Sequence, residues 1–468
     1  GSGVIQSNGG IGSGDYPGGG GAGGRIALYY DTNTLPFDAT HLQTYGGSGY
    51  QYGGPGTIFS RKMSEDANGV LRIFNQPNPS QPTPLYGVAG GSVTFDQVIV
   101  GNNATLLLVP YNNGNTNYTD DSTFVLNANN ILIDSGGKII SDGQGYVGTG
   151  GDGAGVGGGK GGYWVGAGGG YGGLGGNAFD GHVGGVAYGS VTEPNVLGSA
   201  GGAGVNGSNT YYAGGNGGGA IRFVISGTLT INGTLSANGS NGTAGRTGGG
   251  SGGSIWVTTN VLAGSGVIQS NGGIGSGDYP GGGGSGGRVA VYYTTSTMPL
   301  DAAQLQTFGG SGQQYGGAGT VFLQQSSGDL RGTLLVDNNT HIDQYAVLPA
   351  GQAYNFSSVI LSRGGNLRLT ETQSGDVFTF DGLTIGADGT LLLIPYSDGD
   401  TNYTNDLPFK LNATTVTIDS GGRIISDGQG YVGTSGDGTG TGGGKGGYWV
   451  GAGGGYGGLG GNAYDGHS

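Results

Sequence analysis

The chain has 468 residues, 120 of them glycine, and carries 15 basic against 29 acidic side chains for a net charge of −14. That balance excludes a surface built to neutralise nucleic-acid phosphates, which needs clustered Lys and Arg. There is no cysteine, which excludes a disulfide framework and thiol chemistry, and no apolar run approaches the ~20 residues of a membrane-spanning helix.

The first element in chain order is a repeat. GSGVIQSNGGIGSGDYPGGGG opens the chain at Gly1 and recurs letter for letter at Gly264, an offset of 263. A linker needs only its composition, so a repeated order gives each glycine a place. GGRIALYY at Gly23 becomes GGRVAVYY at Gly286 at the same offset. From Thr105, where TLLLVPY becomes TLLLIPY at Thr390, the offset is 285. The second copy therefore holds 22 extra residues between Phe322 and Leu383. That is about one coil of a solenoid, which gains a whole coil without losing register. Two units follow, residues 1–263 and an incomplete 264–468.

The next elements are short strands. AIRFVIS at Ala220, SIWVTTN at Ser254 and RVAVYYT at Arg288 stand 34 residues apart. In the first, period-2 alternation sends Ile221, Phe223 and Ile225 inward and Arg222 and Val224 outward. LTINGTLSANG at Leu229 aligns with LAGSGVIQSNG at Leu262, and VILSRGGNLRL at Val359 with LTIGADGTLLL at Leu383. No sustained helical period is present. The expected fold is all-β, a parallel β-helix in which residues 220–239, 254–273 and 288–293 pair between successive coils.

Like residues then stack in columns. Asn8, Asn238 and Asn271 form one, with Asp142 and Asp427 in the same place in SDGQG. Either stacked side chains hydrogen-bond along the column, or Asn-Gly serves a turn that needs positive φ. Residues 143–219 form a glycine-rich tract, whose ordering requires dense hydrogen bonding in return for lost entropy. Packed extended threads of polyglycine-II type meet that requirement. Tyr163, Trp164 and Tyr171 are candidate anchors by burial.

The series GGGAIRFVISGTLTINGTLSANG, GGGSGGSIWV, GGGGSGGRVAVYY and YGGAGTVFL resembles glycine-rich repeats of very large bacterial surface and secreted proteins, adhesin-like and fibre-forming. The resemblance covers nearly the whole chain. It implies an extracellular location and a structural or adhesive role, and it supplies no catalytic residue.

Chemistry-bearing candidates are few. His182 and His467 recur in DGH beside Asp180 and Asp465; two ligands are too few for a metal site, and a hydrogen-bonded turn is expected. GAGVGGGKGG around Lys160 lacks the Ser or Thr of a phosphate loop, and Ala154 replaces its first glycine. Asp15, Asp278, Asp152 and Asp437 lie in turns rich in carbonyls and are weak calcium candidates, without the nonapeptide series of calcium-loaded β-rolls. Asn117 and Asn402 are candidate glycosylation sites in the repeated TNYT. The expected function is a structural, non-enzymatic, extracellular repeat protein: a fibre, sheath or matrix filament with no cofactor. A glycan-binding adhesin or a lyase-like carbohydrate-active β-helix is the alternative. The chain begins on Gly1 rather than Met, as a processed segment would, and neither end carries a polar cap. The expectation is therefore continuation into further repeats or end-to-end stacking.

Overall fold

A computed structural model describes the chain except residues 15–17, 76–79, 116, 119, 163, 206–209, 373–376, 398–405, 432–437, 441, 446–453, 459 and 461–468. The described residues are all-β, with no helix. One sheet of 13 strands runs through the molecule, and its neighbours follow chain order from Arg25–Tyr30 to Leu411–Ile418. Nearly every step in it is parallel. Ala220 pairs with Ser254 and Ser254 with Arg288, so the 34-residue spacing of the sequence is the spacing between neighbouring strands. Within Ala220–Ile231, Ile221, Phe223 and Ile225 are buried and Val224 is exposed, as the alternation requires.

Three smaller parallel sheets back the long one. Ile5–Gln6 pairs with Leu42–Gln43. Six strands run from Thr83–Tyr86 to Leu305–Gln306, and four from Ala346–Val347 to Arg423–Ile425. Each backing sheet closes its own apolar core: one around Ile26, Leu42 and Ile58, a second from Leu71 to Leu323, a third from Phe322 to Leu391.

The parallel pairing expected over residues 220–239, 254–273 and 288–293 is present, but the parallel ladder is interrupted elsewhere. Two steps of the long sheet are antiparallel: Thr57–Lys62 with Val70–Ile73, and Thr320–Gln325 with Thr333–Asp337. At each, the core changes to the other face of the sheet. Val321 and Leu323 face the second core, whereas Phe322 and its partner Leu334 face the third. The strand Thr320–Gln325 is thus buried on both sides over its first four residues. Gly332 turns this hairpin at φ 68°, beneath the Phe322 ring, where a Cβ would lie 2.5 Å from Cζ.

The 22 inserted residues add one strand to each of two sheets. In the first unit Leu71 pairs directly with Val98. In the second, the counterparts Leu334 and Leu383 both pair with Val359, in the added strand Tyr354–Ser362. Asn366–Thr370 is the matching addition to the four-stranded sheet, between Ala346–Val347 and Thr390–Ile394.

Candidate functional site

Most strands of the long sheet between Ala220 and Gln325 are preceded by glycine runs, and these gather with residues 143–205 into a slab beside the sheets. Its hydrogen bonds follow a three-residue rhythm. Gly282 and Ser285 donate to Gly166 and Gly169 at 3.0 and 2.9 Å. Gly283 and Gly286 donate to Gln314 and Gly317 at 3.0 and 2.9 Å, and Gly284 and Gly287 to Gly273 and Ser270 at 2.9 and 2.7 Å. The thread 248–253 does the same: Gly248 and Ser251 reach Gly202 and Ser199, Gly249 and Gly252 reach Gly282 and Ser285, and Gly250 and Gly253 reach Ser240 and Ala237. A strand directs its donors to two neighbours with period two. Period three directs them to three neighbours, as an extended helix of three residues per turn does. The result is a lattice in three dimensions.

Such threads approach too closely for side chains. A Cβ on Gly283 would lie 1.9 Å from the Gly310 carbonyl oxygen, and one on Gly168 the same distance from that of Gly283. The Asn-Gly pairs obey this rule too. Gly9, Gly239 and Gly272 have no positive φ, but a Cβ on each would meet a backbone oxygen at 1.9 to 2.1 Å. Close approach, not turn geometry, fixes glycine there. In Asp142-Gly143 the glycine does take φ 64°.

Beside those glycines the asparagines form a ladder. The backbone N–H of Asn238 donates to Asp142 Oδ1 at 2.7 Å, that of Asn271 to Asn238 Oδ1 at 2.7 Å, and that of Phe308 to Asn271 Oδ1 at 2.8 Å. Asn8 Oδ1 accepts from Tyr45 N–H at 2.9 Å. Each side chain therefore accepts from the backbone one strand further on, and the Asn8 and Asn271 amides also donate to Gln43 and Gln306 Oε1 at 3.5 Å. Asp427 is exposed, and its carbonyl accepts from Gln429. Burial pushes the Asp142 carboxyl above its usual range, against the pull of the Asn238 N–H. The folded chain then binds this proton more tightly than the unfolded chain, so ionisation costs stability as pH rises through that interval. Asp142→Asn keeps the Oδ1 acceptor and removes the charge. Thermal melts across acidic to neutral pH should show the variant more stable at neutral pH, with a flatter pH dependence; a loss of stability at neutral pH would contradict this.

Arg288 locks slab and sheets together. Its guanidinium is fully buried. Nε donates to Tyr188 O at 2.9 Å, Nη1 to Thr320 Oγ1 at 3.1 Å, and Nη2 to Val347 O at 3.1 Å and Tyr171 O at 3.5 Å. Burial lowers its pKa. Of the candidate anchors, Tyr171 is buried, with its hydroxyl 2.6 Å from Ser254 Oγ. Trp164 is half exposed instead, and Tyr163 lies outside the described residues.

The remaining candidates do not converge. Asp152 is held by Lys160 Nζ at 2.8 Å and Gly161 N–H at 2.9 Å, so both its oxygens already meet donors. Asp278 is exposed in a turn. Asp15 and Asp437 lie outside the described residues, as do Asn402, Asp465 and His467. Asn117 is exposed, and its N–H donates to Asn115 Oδ1 at 2.6 Å. His182 Nδ1 and Asp180 Oδ1 are 2.6 Å apart within one turn. Among the described residues no three His, Asp or Glu side chains group as metal ligands, and no helix is long and apolar enough to cross a membrane. Arg288 has no signal in the sequence, since Arg25 holds the same place in the repeat and is exposed. The chain matches no family model, no curated protein and no solved structure.

Proposed function

We infer that the chain is a β-solenoid braced along one side by a polyglycine-II-type slab, and that it serves as a structural, extracellular or cell-surface repeat protein without catalytic activity. The observation that carries this reading is the period-three lattice, in which the threads 248–253 and 282–287 are hydrogen-bonded to several neighbours at once. The two hairpins fit a continuous coil. Strand direction and inward face reverse together there, which preserves the sense of winding. Equivalent bonds on either side agree: Asp134 N–H donates to Val100 O at 2.9 Å and Asp419 N–H to Ile385 O at 2.8 Å.

Assembly into filaments is part of this reading, and the regular parallel stacking of the long sheet from Arg25–Tyr30 to Leu411–Ile418 is what favours it. Light scattering on chain purified without denaturant should give masses at multiples of 46.0 kDa that grow with concentration, with threads in electron micrographs. A monodisperse particle of one chain would overturn self-assembly.

A further inference from the structure

We propose that Asn113 is a site of spontaneous deamidation, and that a recurring backbone pincer protects Asn8, Asn238, Asn241 and Asn271 from the same reaction. Asn-Gly occurs nine times in the chain. It is the dipeptide most prone to this chemistry, because glycine has no side chain to hinder its own nitrogen. The glycine nitrogen attacks Cγ of the preceding asparagine, and a C–N bond forms. The Cγ–Nδ2 bond breaks, and the glycine proton leaves with Nδ2 as ammonia. Water then opens the succinimide at either carbonyl, giving aspartate or isoaspartate.

Attack needs the glycine N–H to shed its proton and its peptide plane to turn onto Cγ. In the pincer, one residue of a neighbouring segment holds both groups. Asn271 N–H donates to Asn238 Oδ1 at 2.7 Å, while its carbonyl accepts from Gly239 N–H at 2.8 Å. Phe308 grips Asn271 and Gly272 in this way, both at 2.8 Å. Tyr45 grips Asn8 and Gly9 at 2.9 and 2.8 Å, and Ile274 grips Asn241 and Gly242 at 2.9 and 2.8 Å. Asn238 closes the same pincer on Asp142 and Gly143 at 2.7 and 2.9 Å. The glycines after Asn68, Asn216 and Asn232 also donate outside their own turns, to Asp96 Oδ2 at 2.6 Å, Tyr146 O at 2.9 Å and Ile133 O at 3.2 Å. Asn206 lies outside the described residues.

Asn113 is held differently. Its Oδ1 accepts from Asn115 N–H at 3.0 Å, and Gly114 N–H donates to Asn112 Oδ1 at 2.8 Å. Both reacting groups therefore bond within their own loop. Gly114 stands at φ 73°, with nothing within 4 Å of where a Cβ would lie, so its peptide plane has room to turn. The Asn115 N–H points at the oxygen on which negative charge develops when Cγ is attacked. Exposure does not separate the sites, since Asn241 is exposed as Asn113 is; the grip of Ile274 does. The product places a carboxylate in the loop where Asp121 Oδ1 already accepts from Asn113 N–H at 3.2 Å.

The full chain is incubated in mildly alkaline buffer, folded and in parallel in denaturant. Digests are then mapped by mass spectrometry for isoaspartate and for conversion of amide to acid. In denaturant Asn113, Asn238, Asn241 and Asn271 should convert at similar rates. In the folded chain Asn113 should keep its denatured rate, whereas the other three should slow at least about tenfold, because reaction there requires a local opening that breaks two hydrogen bonds. Ile274→Pro removes the N–H that holds Asn241 Oδ1 and keeps the carbonyl. It should speed conversion at Asn241 and leave Asn238 slow. Three results would overturn the proposal: Asn241 reacting in the folded parent as fast as in denaturant, Asn113 slowed as much as the gripped residues, or Asn241 unchanged in folded Ile274→Pro. Should that variant fail to fold, the parent chain under the two conditions still decides.

Discussion

Gly283→Ala should unfold the glycine slab. The added methyl would meet the Gly310 carbonyl oxygen at 1.9 Å, and every nearby atom it would meet belongs to backbone, so no flexible side chain can yield. Overpacking a well-packed interior costs roughly 1–3 kcal/mol, and more where nothing relaxes, so a loss of at least about 3 kcal/mol is expected. The thread through Gly283 bonds threads 166–169, 270–273 and 314–317 and accepts from 249–252, so the damage should spread. Hydrogen exchange should show faster amides in all of these, with the six-stranded sheet retaining more protection. Gly151→Ala is the matched control. Nothing lies within 4 Å of its Cβ, and the change should be neutral or stabilising by about 0.4–1 kcal/mol through the unfolded chain. Equal effects of the two substitutions would show that the glycines are composition rather than positions.

Arg288→Met should be the most damaging single change outside the glycines. It removes a buried cation, which by itself relieves desolvation. It also strips donors from Tyr188 O, Val347 O and Thr320 Oγ1, and hydrogen bonds to charged groups contribute about 1.5–3 kcal/mol each. The net expectation is a destabilisation of roughly 3–5 kcal/mol, read by chemical denaturation. Arg288→Lys should not restore stability, because one ammonium cannot span a planar fork of acceptors. Arg25→Met, at the exposed counterpart, should stay within about 0.5 kcal/mol. If Arg288→Met were as mild as Arg25→Met, the guanidinium would not be what joins slab to sheets.

The strands were legible where they are buried on one face only. Ile221, Phe223 and Ile225 alternate with Arg222 and Val224, and the 34-residue spacing to Ser254 and Arg288 names their neighbours. The inserted residues were legible for the same reason, because Val359 and Leu383 repeat the pattern. The hairpins were not. Thr320 to Leu323 are buried on both faces, so alternation is lost there, and a continuous apolar run is what a doubly covered strand shows. Such a run does not say which face the chain follows next. The slab was legible as ordered glycine, but its partners were not, because identical residues carry no address. Gly283 and Gly151 read alike in sequence and differ only in what surrounds them. Trp164 reads as an anchor in the sequence, and only its exposure assigns it to the outside.

In the proposed solenoid, strands stack along one axis in a coil that repeats from unit to unit, and fibre diffraction from aligned native material reads that stacking. Strands that cross the axis and stack along it should give a meridional arc at about 4.7–4.9 Å, the spacing between neighbouring strands. An arc at that spacing on the equator, or none at all, would rule out a solenoid of this kind.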